Sequence, residues 1–399
     1  MEVDRLRPSK EELCCILEDL IRIPSYPGLH RQETAAAEYI RDFFISRGIE
    51  AEIVPVLEGR CNVLARLRGS GGGRSLMLNG HLDTVPPYDM AEALIPRREG
   101  SLLFGRGSAD MKGALACMML ALGRLKELDI RLAGDVIFAG VIDEEMTSEG
   151  TCALLNQRVS ADAVVVGEPT DGQIALGHKG LQWFEFRIRG RAVHGGAQEK
   201  GINAIRQAAR LIQRLERDLV PVLAARAHPV VGVSTLNYGF IQGGFQPSTV
   251  AGECVLQIDR RWIPGEDYRD VVNELEALVE ELGAEEPDFS CELSVMEESL
   301  MPGDFIHQGF ETDAGHPLVE AALQAAEAVT GVRPELTSFK AWTDAGLLGP
   351  YGGMPALVFG PGKLEVAHTS REAIDINQAV DFSAIYAALC IRFCGREDK

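Results

Sequence analysis

Short, continuously apolar segments constrain the possible folds of this chain more than any other feature of its sequence. A strand that is buried on both faces is apolar throughout, whereas a strand with one exposed face alternates. Helical patterns at Met111–Leu128 and His316–Val329 lie among these segments. We therefore predict an α/β domain with a mixed, mostly parallel sheet flanked by helices. The apolar segments are Asn62–Leu67, Ser75–Leu78, Asp135–Val141, Ala163–Val166 and Pro355–Phe359.

The middle of the chain has a different pattern. Leu181–Arg189 alternates apolar and charged or polar side chains, as a strand with one buried face does. The predicted elements follow the order β-α-β-β-α-β, which is a ferredoxin-like α+β arrangement. We therefore predict an inserted domain at residues 180–296, between two parts of the α/β domain at 1–179 and 297–399. The other predicted elements are Gly201–Leu219, Ser234–Gln242, Glu253–Trp262, Glu266–Leu282 and Phe289–Val295.

The composition excludes several classes of protein. The 399 residues include 39 Lys and Arg against 59 Asp and Glu, a formal net charge of −20, whereas nucleic acids and anionic membranes bind basic surfaces. Nine cysteines without a Cys-x-x-Cys pair do not indicate a disulfide framework. The N-terminus lacks the apolar core of a signal peptide. The longest apolar run, Ala114–Leu122, is too short to span a membrane. These features predict a cytoplasmic protein with neither nucleic acid nor membrane as a partner.

Polar side chains with metal-binding groups follow the ends of the predicted buried strands. In an open α/β sheet, ligands bind outside the carboxyl ends of the strands. We therefore expect these side chains to meet at one edge of the sheet. In chain order they are His81, Asp83, Asp143, Glu144, Glu145, Glu168 and His368.

Imidazoles combined with carboxylates suit zinc, cobalt or manganese, whereas oxygen ligands alone suit magnesium or calcium. The carboxylates outnumber what one ion needs, and a pair of ions bridged by one carboxylate would use them. The natural bridge is Asp110, in the glycine-rich segment Gly105–Gly113. Alone, Asp110 would be interpreted as a helix N-cap and Glu144-Glu145 as a solvated loop. Their coincidence at predicted strand ends favours a metal site.

Five motifs, in this order, resemble those of a family of zinc-dependent amidohydrolases: GHLDTVP, GRGSADMKG, DEE, GEPT and AHT. That family includes acetylornithine deacetylase, succinyl-diaminopimelate desuccinylase, aminoacylase and the glutamate-releasing carboxypeptidases. The resemblance covers essentially the whole chain. It implies that the inserted domain is the family's lid or dimerisation domain.

The resemblance implies a ligand set for two zinc ions, with Co²⁺ or Mn²⁺ as substitutes. One ion would be held by His81, Asp110 and Glu168. The other would be held by Asp110, Glu145 and His368, so that Asp110 bridges the pair.

The resemblance also implies two further roles close to the metals. Glu144 matches the general base, which takes a proton from the attacking water and passes it to the departing amine. Asp83 matches the residue that orients the first histidine, in keeping with the acceptors that ligating imidazoles usually have. The peptide bond Asp110–Met111 is expected to be cis.

Outside the metal site, the resemblance implies roles for four more residues. His194 would enter the active site of a neighbouring subunit, which implies a homodimer through the inserted domain. The alternative is a surface turn histidine, and the match of the segment Gly201–Ile205 favours the active-site role. Arg261 would bind a substrate carboxylate, or is an ordinary arginine at a strand end. The backbone N–H groups of Gly360 and Gly362 would approach the same carboxylate. Ser248 stands where many members have an asparagine that contacts substrate.

We therefore predict a di-zinc amidohydrolase that removes an acetyl- or succinyl-type acyl group from a small N-acyl-L-amino acid, such as acetylornithine or succinyl-diaminopimelate. The alternative is a metallo-carboxypeptidase or dipeptidase that uses the same two-metal site on short peptides. No residue distinguishes these two possibilities. A non-enzymatic binding protein is disfavoured because Glu144 and all five ligand positions are present.

Overall fold

Helices and strands alternate along residues 3–397, the part of the chain that the computed structural model describes. Short 3-10 helices and one π-helix, Leu215–Leu219, complete the helical structure. The α-helices are α1 Lys10–Arg22, α2 Thr34–Ser46, α3 Lys112–Glu127, α4 Glu149–Asn156, α5 Ala204–Arg214, α6 Val220–Ala225, α7 Tyr268–Glu285, α8 Pro317–Thr330, α9 Ala345–Leu348 and α10 Ile376–Cys394. The strands are β1 Glu50–Leu57, β2 Arg60–Leu67, β3 Leu76–His81, β4 Arg97–Glu99, β5 Leu102–Phe104, β6 Val136–Val141, β7 Ala163–Val166, β8 Ile174–Ala175, β9 Gly177–His178, β10 Gly180–Arg189, β11 Ala227–His228, β12 Gly232–Val233, β13 Thr235–Gly243, β14 Glu253–Trp262, β15 Ser290–Val295, β16 Phe310–Glu311, β17 Leu336–Thr337, β18 Ala356–Val358 and β19 Ala373–Asp375.

An eight-stranded sheet with the order β1-β2-β6-β3-β7-β18-β8-β17 forms the centre of the first unit of the structure. The four strands β6, β3, β7 and β18 are parallel to one another. They are also completely buried, because helices cover both faces of a sheet of this kind. The predicted α/β class with a mixed, mostly parallel sheet is confirmed.

Helix α3 explains the longest apolar run of the sequence. Thirteen of its residues are buried, because α10, α1 and the sheet all pack around it. A helix that is apolar on all sides is expected in such a position. The side chain of Lys112, at its first turn, donates to the carbonyl oxygens of Leu20 (2.9 Å) and Ile23 (2.7 Å), which fixes the end of α1 against the start of α3.

Contacts between Cα atoms divide the chain into two units. The first contains residues 1–177, 301–305 and 310–399, and the second contains 178–300 and 306–309. Sequence reasoning did not anticipate the second crossing of the chain at 306–309. The predicted role of the second unit as a lid or dimerisation domain stays a prediction.

The second unit consists of a four-stranded antiparallel sheet and the helices that cover it. The strand order is β13-β14-β10-β15, and the chain order β10-α5-β13-β14-α7-β15 is the β-α-β-β-α-β arrangement, with α6, β11 and β12 inserted after α5. Alternate residues of β10 and β14 are buried. Phe184, Phe186, Trp262 and Leu275 lie in the core between sheet and helices.

Within residues 3–397, none of the helices combines the length and the hydropathy that crossing a membrane requires.

Candidate metal centre

The parallel strands β6, β3, β7 and β18 end at the same edge of the sheet, and the predicted metal-binding side chains follow these ends. His81 is the last residue of β3. The segment 143–145 follows β6, Glu168 follows β7, and His368 lies in the connection after β18. All these residues belong to the first unit.

Asp110 lies between the two histidines. Its Oδ1 is 3.0 Å from Nε2 of His81, and its Oδ2 is 3.1 Å from Nε2 of His368. The same nitrogen of His368 is 3.0 Å from Oε1 of Glu145, and Nε2 of His81 is 3.6 Å from Oε1 of Glu168. The five residues predicted as ligands are thus brought together, with Asp110 between the two histidines.

The cluster is deeply buried on one side and open on the other. Asp110, Glu168 and His81 are each less than 9% exposed, whereas 47% of the His368 side chain is exposed. Solvent therefore reaches the cluster at His368.

Charge and burial shift the pKa values within this cluster. Burial acts to lower the pKa of His81, but the neighbouring carboxylates, Glu168 foremost, outweigh it and raise this pKa well above its usual value. Hydrogen bonds to Asp110 and Glu145 raise the pKa of His368 to about 10. Burial acts to raise the pKa of Asp110, but the hydrogen bonds from His368 and His81 lower it overall. The cluster favours bound positive charge.

Glu144 belongs to the same cluster. One of its carboxylate oxygens lies within 4.8 Å of ligand atoms of His81 and Glu168. Burial, and after it the negative charge of Glu168, raises the pKa of Glu144 well above the usual value. A carboxylate with a raised pKa is a better proton acceptor, which is the property required of a general base near neutral pH.

Asp83 contacts both His81 and the segment that carries Glu144 and Glu145. Nδ1 of His81 lies 3.0 Å from the backbone carbonyl oxygen of Asp83 and 3.6 Å from its Oδ1. The Asp83 carboxylate instead accepts the backbone N–H groups of Glu144 (3.2 Å) and Glu145 (3.0 Å). Burial raises its pKa to about 7. Asp83 therefore contacts His81 through its main chain and holds the Glu144-Glu145 loop through its side chain.

The loop that carries Asp110 has an unusual backbone conformation, and a hydrogen bond from its backbone to Glu372 fixes it. The peptide bond Asp110–Met111 is cis, as expected, and Gly107 has a φ of +82°. Helix α3 begins at Lys112 without a side-chain cap, so Asp110 is not an N-cap. Its N–H group donates to Oε1 of Glu372 at 3.1 Å.

The residues present fit a divalent metal centre. Two imidazoles and several carboxylates form the donor set that zinc, cobalt and manganese accept. The carboxylates outnumber the two imidazoles. In addition, Oε1 of Glu168 is buried without a hydrogen-bond partner among the described residues. Such an oxygen carries a large desolvation cost unless a cation contacts it.

Two more buried acids lie beside the centre: sequence reasoning missed Glu372 and left Asp344 open between a residue near the substrate pocket and part of a helix cap. Glu372 accepts from the backbone of Asp110 and pairs with Arg106. Asp344 accepts a hydrogen bond from Thr151 at 2.8 Å, and burial raises its pKa to about 6. Asp344 lies in the Trp-Thr-Asp segment at 342–344, which the sequence presents equally as a helix cap, and it makes no side-chain cap.

The predicted substrate contacts are engaged within the protein. The N–H group of Gly360 donates to Oγ1 of Thr170 (3.2 Å), and that of Gly362 donates to Oε1 of Gln378 (2.9 Å). Because both groups have protein acceptors, the structure does not support their predicted approach to a substrate carboxylate.

His194 and Arg261 belong to the second unit. His194 is exposed, and its Nδ1 accepts the N–H of Gly196 at 3.1 Å. Arg261 donates to Oδ2 of Asp259 at 2.9 Å. The predicted contributions of His194 and Arg261 to catalysis and substrate binding stay predictions.

Residues 77–392 match the model of peptidase family M20/M25/M40, and the chain therefore belongs to this family. It is 31% identical over 412 residues to the N-formyl-4-amino-5-aminomethyl-2-methylpyrimidine deformylase of Halalkalibacterium halodurans, covering 97% of this chain and 95% of the relative. It is 32% identical over 342 residues to the acetylornithine deacetylase of Myxococcus xanthus, covering 84% of this chain and 85% of the relative.

Solved structures share the fold. The aminopeptidase PepT of Bacillus cereus superimposes with a TM-score of 0.80 at 23% identity, covering 97% of this chain and 99% of that one. A dinuclear metal-binding M20 peptidase of Bacillus subtilis superimposes with a TM-score of 0.71 at 16% identity, covering 96% and 97%. The predicted family is confirmed, and the protein is a hydrolase of amide bonds from a metal-dependent family.

Proposed function

We propose that this protein is a two-metal deacylase, with His81, Asp110 and Glu168 holding one zinc ion and Asp110, Glu145 and His368 holding the other. The observation that carries this proposal is the position of Asp110, whose two carboxylate oxygens each contact a different imidazole. A carboxylate shared in this way suits the bridge between two ions.

The protein's own residues supply proton transfer and orientation. Bound metal ions supply a Lewis acid for the carbonyl oxygen and lower the pKa of water. Glu144 takes a proton from the attacking water and gives it to the nitrogen of the departing amine. Asp83 positions Glu144, because its carboxylate accepts the Glu144 N–H group.

We propose a small N-acyl compound as the substrate, with an N-acyl-L-amino acid as the first candidate. The similarity to acetylornithine deacetylase from Myxococcus xanthus supports an acetyl group on an amino acid. A carboxypeptidase or dipeptidase with the same metals is the alternative, and the likeness to solved peptidases supports only their common fold.

A specific observation favours a second candidate, an N-formyl amine without an α-carboxylate. Two relatives that match 97% and 99% of this chain are pyrimidine deformylases. Two of the groups predicted to bind a substrate carboxylate, the backbone N–H groups of Gly360 and Gly362, donate within the protein instead. A substrate without a carboxylate does not require these groups.

The substrate is identified by measuring amine release from a panel of compounds with and without added Zn²⁺. The panel contains acetyl-, succinyl- and formyl-amino acids, the formylated aminomethylpyrimidine and dipeptides. Zinc-dependent release from acyl-amino acids supports the first candidate, and release from the formylpyrimidine alone supports the second. Cleavage of dipeptides alone contradicts a deacylase.

The role of Glu144 is tested by Glu144→Gln, with Glu58→Gln as the matched control because Glu58 is exposed. The loss of a general base lowers the rate by about 10²–10⁴. We expect two bound ions per chain in both variants, measured by mass spectrometry of the metal. Retained activity in Glu144→Gln excludes Glu144 as the base, and a fall in metal content makes it a ligand.

We also propose a homodimer formed through the second unit, with His194 of each chain completing the partner's active site. The exposure of His194 supports this proposal. Light scattering of the active enzyme tests it, since a monomer with full activity contradicts it.

A further inference from the structure

A buried ion pair, Arg106–Glu372, lies next to the candidate metal centre. Glu372 is fully buried and Arg106 is 1% exposed. Oε2 of Glu372 accepts from Nη1 of Arg106, and Oε1 accepts the backbone N–H groups of Ala109 and Asp110, both at 3.1 Å. Both oxygens of one carboxylate are therefore used to hold the segment that carries Asp110.

The guanidinium group of Arg106 extends this contact to two other segments. It donates to the carbonyl oxygen of Pro87 at 3.3 Å and to that of Thr369 at 3.5 Å. Pro87 lies in the connection after His81, and Thr369 directly follows His368. One ion pair thus joins the three chain segments that carry His81, Asp110 and His368.

The segment that carries Asp110 requires such an anchor. Gly105 and Gly107 have φ values of +156° and +82°, and glycine has more backbone freedom than any other residue. The two oxygens of Asp110 must nevertheless face two different imidazoles at the same time. Rotation of this loop would break one of these contacts.

Stability alone is a weak reason for this pair. The desolvation of two charges offsets most of their attraction, and apolar residues of similar volume often replace a buried ion pair without loss of stability. A role in positioning the metal ligands explains the pair better, because groups that do not bind the metal themselves orient the ligands and tune metal affinity.

We propose that Arg106 and Glu372 are positioning residues that set the separation of His81, Asp110 and His368, and hence the affinity of the two-metal centre. The proposal rests on the proposed function, because it takes these residues as ligands. It concerns metal binding without substrate, so it is tested independently of which amide bond the enzyme hydrolyses.

The main test is Glu372→Gln, which keeps the shape and one acceptor oxygen but removes the charge that pairs with Arg106. Co²⁺ affinity is measured by competition with a chelator, and the visible spectrum of the bound Co²⁺ reports ligand geometry. We expect affinity to fall about 10- to 100-fold, with a changed spectrum. The urea midpoint should fall as well, because Arg106 stays buried without its charged partner, so the Co²⁺ spectrum of the folded variant is the readout that distinguishes positioning from stability.

The matched control is Asp381→Asn, which removes the partner of Arg7 in an ion pair that includes no candidate ligand. Its affinity and spectrum should equal those of the wild type. Wild-type affinity and spectrum in a folded Glu372→Gln variant overturn the proposal, as does an equal loss in Asp381→Asn.

If Glu372→Gln does not fold, Co²⁺ binding by the variant Arg106→Lys tests the proposal. Lysine keeps the charge but lacks the planar group that reaches several acceptors at once. Weaker Co²⁺ binding by folded Arg106→Lys supports the proposal, and unchanged binding overturns it. If the wild-type protein itself binds fewer than two ions per chain, the proposed function is contradicted instead.

Discussion

Asn62 links strand β2 to the loop that leads into the metal centre, and its replacement should have a large effect on stability. Its side chain is fully buried. Nδ2 donates to the carbonyl oxygen of Gly150 at 2.9 Å, and Oδ1 accepts the N–H group of Ile142 at 3.0 Å. Ile142 directly precedes the segment with Glu144 and Glu145.

The effect of Asn62→Ala follows from these two hydrogen bonds. A buried N–H group without an acceptor, here that of Ile142, costs about 1–3 kcal/mol. Loss of the bond to Gly150 adds about 0.5–1.5 kcal/mol. We therefore expect the free energy of unfolding to fall by about 2–4 kcal/mol, a large part of the roughly 5–15 kcal/mol of an ordinary domain.

Urea denaturation measures this change, with Asn156→Ala as the matched control. Asn156 is an exposed asparagine of the same unit, so its replacement should change the free energy of unfolding by less than about 0.5 kcal/mol. Because the Ile142 contact precedes the Glu144-Glu145 loop, Asn62→Ala should also weaken metal binding. A loss below about 1 kcal/mol in Asn62→Ala would refute the reasoning.

Three further predictions concern metal, charge and packing. Metal at about 1,000 times its dissociation constant should stabilise the chelated protein by about 4 kcal/mol; calorimetry with no rise in melting temperature would contradict this. Arg60 pairs with Glu33 and Asp143 in a mostly buried contact, so Arg60→Met should cost about 3–5 kcal/mol. The exposed Arg68 provides the control: Arg68→Met should leave the urea midpoint close to that of the wild type, and equal losses in the two variants would refute the distinction. Phe186→Ala should lower the free energy of unfolding by about 3–5 kcal/mol, because it opens a cavity in the core of the second unit. An unchanged free energy of unfolding in urea would refute this.

The sequence predicted the central strands because burial on both faces leaves a local signature. The strands β3, β6, β7 and β18 were recognisable as apolar segments, and their parallel arrangement explains why residues far apart in sequence meet at one edge. The edge strand β1 was missed. It contains Pro55 and alternates apolar with polar residues, and an edge strand tolerates a proline because one side of its backbone has no partner.

The ligand set was predictable for the same reason, whereas the contacts that support it were not. The pairing of Glu372 with Arg106 joins positions 266 residues apart in sequence, and neither residue follows a buried strand of the large sheet. Asp83 was predicted to orient His81, and the sequence did not show that its carboxylate also accepts the N–H groups of Glu144 and Glu145 after β6. A local pattern shows which residue types lie near a site and does not show which buried group each one contacts.

The large sheet is assembled from chain segments on both sides of the second unit, and this has a consequence for synthesis of the protein. A ribosome makes His81, Asp110, Glu145 and Glu168 before the second unit, and His368 after it. Strand β18, which pairs with β7, is also made late. Until its final part emerges, a nascent chain therefore lacks both His368 and strand β18. The second imidazole contact of Asp110 can therefore form only after the whole second unit has been made.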